Sequence, residues 1–62
     1  MPEVKKTLEE MPENYRVVFL MSRTEELKNS EIANLLGLSV KAVEKRMSKA
    51  LRLLKNALIE NE

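Results

Sequence analysis

A single glycine, Gly37, stands in this chain, and it falls between two segments with helical periodicity. Residues 29–36 place Ile32, Ala33, Leu35 and Leu36 on one apolar stripe. Residues 40–58 carry a second stripe at Val40, Val43, Met47, Ala50 and Leu54, with Leu51 and Leu58 beside it. A glycine just past the last periodic residue is the common left-handed stop of a helix, because without a Cβ the positive-φ region carries no steric penalty. The pattern predicts a third helix over about 29–36, a turn over 37–39 and a longer helix over about 40–58. Asn29 or Ser30 is expected to cap the shorter helix and Ser39 the longer one, each through its side-chain oxygen. Leu38 is expected to insert into the core. A helix, a short glycine turn and a longer helix together make a helix-turn-helix.

The residues before this unit read as two further helices. Pro2 suits a first helical turn, where its missing N–H has no partner to lose, and Val4 and Leu8 share a face over residues 3–10. Pro12 interrupts that pattern and opens a helix over about 12–25. There Tyr15, Val18, Phe19 and Ser22 lie on one face and Val17, Leu20 and Met21 on the other. A helix apolar on most sides is central to a domain or covered by a partner, and both readings stay open for the second face. The break at residues 25–29, Glu-Glu-Leu-Lys-Asn, is mostly polar. The expected fold is all-α: one small four-helix domain over residues 1–62 with a helix-turn-helix.

The 62 residues include no cysteine and no histidine. Disulfides and Cys or His metal sites are therefore excluded, and carboxylates remain as the only acid–base groups near neutral pH. No spacing singles out a carboxylate pair, and nothing resembles a nucleophile with its base, so neither an enzyme nor a cofactor is expected. No apolar run reaches the length that crosses a bilayer and no signal-peptide pattern opens the chain, which points to a soluble cytoplasmic domain.

The net charge of +1 hides an asymmetry. Residues 1–38 sum to −2 and residues 39–62 to +3, with all six basic residues of the second part between Lys41 and Lys55. On a helical wheel Lys41, Lys45, Ser48 and Arg52 oppose the apolar stripe, flanked by Glu44, Lys49 and Lys55. A helix held proud by a sharp turn, with a basic outer face and a small Ser48 for close approach, suits a major groove. Solvated helices also carry Lys and Arg, so a structural bundle and a protein-docking module remain alternatives to DNA binding. The 3% aromatic content argues against single-strand recognition by base stacking.

Three blocks occur in order: Met11-Pro12 through Arg16 and Phe19 to Leu20, then Glu31-Ile32-Ala33, then Ser39 through Val43 and Arg46 to Ala50. In this order and spacing, over about residues 8–56, the chain resembles region 4 of bacterial sigma factors, especially the extracytoplasmic-function group. The resemblance implies a domain of the winged-helix-like, sigma region 4 type. It also implies double-stranded promoter DNA as ligand, at the minus-35 element, and the β-subunit flap of RNA polymerase as partner. In many relatives an anti-sigma factor covers this domain. The chain then corresponds to the C-terminal domain of a longer protein, with Met1 as an added start, acting as a monomer.

Matched by position, the resemblance implies base-reading roles for Glu44, Lys45, Ser48 and Lys49. It places Lys41 and Arg52 on flanking phosphates. Relatives often carry Arg where Glu44 stands; Glu44 either accepts a hydrogen bond from a cytosine amino group or pairs with Lys41 or Ser48. Lys28 replaces the usual Ser or Thr cap and is free for a phosphate. Arg46 points sideways and is expected to pair with Glu31. Val17, Leu20 and Met21 are the candidate partner surface. Within DNA binding, the alternative is a LuxR-type response-regulator domain, which shares the Glu-Ile-Ala and recognition-helix pattern. The Pro12, Arg16 and Phe19 block favours the sigma reading.

Overall fold

The computed structural model describes residues 2–60, with side chains from Lys5 to Leu58. Met1 and the side chain of Val4 lie outside the described residues. Four helices follow in order: α1 (Pro2–Glu10), α2 (Glu13–Arg23), α3 (Asn29–Leu36) and α4 (Val40–Glu60). No strand occurs among the described residues.

Each helix boundary has a local cause. Pro12 (φ −53°, ψ 139°) is the N-cap of α2 rather than its first helical residue. It cannot donate, but its carbonyl accepts from the N–H groups of Tyr15 and Arg16, both at 3.1 Å. The last carbonyls of α1 have no partners within that helix. The Arg16 guanidinium supplies one, donating to the Leu8 and Glu9 carbonyls at 3.2 Å each. A cation at a helix C-terminus also interacts favourably with the helix dipole. Arg16 thus ties the end of α1 to the start of α2 across the Pro12 break.

The helix α2 ends at Arg23, two residues short of the span expected from its pattern. Thr24 N–H closes the last turn on the Leu20 carbonyl at 2.7 Å, and Glu26 then takes φ +55°. That left-handed step turns the chain back, so that Leu27 packs against the core and its N–H reaches the Met21 carbonyl at 3.2 Å. A lone leucine in a polar break gave no periodic signal.

Two small apolar clusters lie along α4. The first joins Val18, Ile32, Ala33 and Val43, with Met21, Leu27, Leu36, Leu38 and Met47 packed around them. The second joins Met11, Ala50 and Leu54, with Leu8, Tyr15 and Phe19. The middle helix α2 serves both, Val18 entering one cluster and Tyr15 and Phe19 the other. The expected stripe of α4 therefore holds at its centre and fails at its edges. Val40, in the first turn, is 43% exposed, and Leu51 and Leu58 also stand open beside the stripe. On α3, Leu35 is 64% exposed, because Ile32, Ala33 and Leu36 already fill the narrow face that meets the first cluster.

Candidate nucleic-acid interface

The turn between α3 and α4 sets the direction of the outer face. Gly37 sits at φ +68°, ψ 35°, and its N–H bonds to the Ala33 carbonyl. Leu38 N–H bonds to the same carbonyl at 2.8 Å, closing a Schellman-type stop, and its side chain drops onto the first cluster. The Ser39 hydroxyl then accepts the Ala42 N–H at 3.1 Å and caps α4. Within three residues the chain ends one helix, anchors a leucine and starts the next.

The opposite end of α3 departs from the sequence reading. Asn29 and Ser30 are its first two helical residues, and the N-cap is Lys28, in extended conformation. An ammonium has no lone pair to offer, so the Lys28 side chain cannot accept a backbone N–H. Instead the Glu31 carboxylate reaches back and accepts the Lys28 N–H at 2.9 Å, one half of a capping box. This contact replaces the expected ion pair: among the described residues none joins Glu31 to Arg46. Glu31 is held at its own helix terminus, where a negative charge also complements the dipole, and Arg46 is half-buried.

From this scaffold α4 presents Lys41, Glu44, Lys45, Ser48, Lys49 and Arg52, all exposed. Helical spacing puts Lys41, Lys45, Ser48 and Arg52 on the side away from Val43, Met47, Ala50 and Leu54. Lys49 lies on the flank toward α2, where it lines a shallow depression with Tyr15, Arg52 and Leu53. The sequence pattern placed Tyr15 on one face of α2 with Val18, Phe19 and Ser22; its position beside two cations at the border of this surface carried no sequence signal. Lys28 is exposed at the start of α3. Four exposed cations and one exposed carboxylate therefore share the outer α4 surface from Lys41 to Arg52, with Arg46 half-buried beside them, a local positive field that a polyanion would meet first.

The outer side of α2 is less uniform than its pattern. Leu20 is 40% exposed, Val17 is half-buried, and Met21 is drawn into the first cluster. Arg23 stands over the Phe19 ring at 5.8 Å, a cation–π contact one turn apart on the same helix. No group of three or more acidic, cysteine or histidine side chains among the described residues could hold a metal ion. No helix among them is long and apolar enough to cross a membrane.

The family model for sigma-70, region 4, matches the chain over residues 2–54. No curated protein and no solved structure matches the chain.

Proposed function

Since this chain belongs to the sigma-70 region 4 family, we propose that it binds the minus-35 promoter element as the C-terminal domain of an extracytoplasmic-function sigma factor. In that role it directs RNA polymerase in the cytoplasm to initiate transcription. The family implies promoter DNA and RNA polymerase as partners. The observation that carries the reading is the exposed outer face of α4, basic and held outward by the Gly37 turn and the Ser39 cap.

In this reading residues 1–62 act as one domain, monomeric on DNA. The N-terminal half of α4 enters the major groove, with Glu44, Lys45, Ser48 and Lys49 toward base edges. Lys41 and Arg52 meet phosphates on either side. Lys28, exposed at the start of α3, reaches a phosphate through its ammonium group. The exposed side of α2 at Leu20 and Val17, bordered by Met21, is the surface for the β-subunit flap or an anti-sigma factor.

Positioning and reading contacts respond differently to mutation. Lys41→Ala should weaken binding to all duplexes alike and lower the slope of log affinity against log salt by about one unit. Lys45→Ala should cost about 1–3 kcal/mol on the preferred promoter and relax preference at one or two base pairs. The test titrates each variant on preferred and scrambled promoters at several salt concentrations. Equal loss on both for Lys45→Ala would make Lys45 a phosphate contact; no effect of either variant would reduce the basic stripe to a solvated surface.

A further inference from the structure

Glu44 is the only acidic residue between Lys41 and Lys55, and it stands exposed on the second turn of α4. Its nearest helical partners are Lys41, three residues before, and Ser48, four after. Neither engages it. Among the described residues the Glu44 carboxylate forms no hydrogen bond or ion pair. It is a free negative charge on the surface that is otherwise built to meet phosphates.

A carboxylate brought within a Debye length of a duplex backbone is repelled, so it weakens binding unless a donor on a base edge receives it. In the major groove guanine offers only acceptors, and thymine offers an acceptor and a methyl group. Adenine offers an amino donor, but its neighbouring N7 acceptor opposes the second carboxylate oxygen. Cytosine offers its N4 amino group with no such neighbour on the same base. We propose that Glu44 is a specificity-determining residue that accepts a hydrogen bond from a cytosine amino group. By its charge it lowers affinity for duplexes lacking cytosine at that position. The inference rests on α4 entering the major groove, as in the function proposed above.

The experiment is selection of bound duplexes from a random-sequence pool by the 62-residue chain and its Glu44→Gln, Glu44→Ala and Lys41→Ala variants. The unmodified chain should enrich dC at one position, where any other base costs roughly five- to hundredfold in affinity. Glu44→Ala should lose that enrichment alone and bind a scrambled duplex more tightly than the parent. Glu44→Gln should shift the same position toward dA, because an amide can both accept from N6 and donate to N7. If Glu44→Ala keeps the parent's base profile while Lys41→Ala weakens every duplex, the inference fails and the DNA-binding reading stands. If the parent binds no duplex, both fail.

Discussion

Gly37 separates backbone strain from crowding. It holds φ +68°, yet a Cβ built there would meet no atom within 4 Å beyond Gly37 itself and its two chain neighbours. Any cost of a larger residue thus comes from the left-handed conformation itself. Gly37→Val should lower stability by about 1 kcal/mol or more, and Gly37→Asn by less, since asparagine tolerates this region. Thermal melts measure both; a valine variant as stable as its parent would contradict this account of the turn. The role of Gly37 was legible because the sequence offers no other glycine and because periodic residues end just before it. Glu26 was not legible. It also takes a positive φ, but glutamate is not a residue that marks such a step, and only the return of Leu27 to the core explains it. The cap of α3 was misread for a related reason. Side-chain preference pointed to Asn29 or Ser30, whereas both are already helical, Lys28 is the N-cap and Glu31 makes the capping contact.

The helices α2 and α4 show how far periodicity reaches. The central residues of the α4 stripe, Val43, Ala50 and Leu54, are buried, because α2 and α3 or α1 cover them. Val40, Leu51 and Leu58 share the pattern but lie where no described helix covers them fully, and a wheel cannot show how far a neighbour extends. The tie from Arg16 to the Leu8 and Glu9 carbonyls crosses a proline break, so no helical spacing could indicate it. On α2 the two faces were legible, but the division between Leu20, left open, and Met21, drawn into the first cluster, depends on the loop that brings Leu27 back. That difference selects the variant for testing the partner surface. Leu20→Glu should weaken binding to the polymerase β flap while circular dichroism and melting temperature stay near the parent's. Unchanged flap binding would remove this surface from the proposal.

Over the whole molecule, charge and packing divide the work. Two clusters fix α4 from one side, and the basic residues from Lys41 to Arg52 remain on the other. This separation was visible in the sequence as the jump from −2 over residues 1–38 to +3 over residues 39–62. The placement of Lys49 and Tyr15 at one flank was not, because it depends on how α2 crosses α4. The most direct test is amide chemical-shift mapping of the isotope-labelled chain during titration with a minus-35 promoter duplex. Shifts should concentrate at Lys28–Ser30 and Lys41–Arg52, diminish as salt is raised, and leave the exposed side of α2 at Val17 and Leu20 unmoved. Perturbations centred on α2, or none on α4 at saturating duplex, would contradict the assignment of the α4 outer face to DNA.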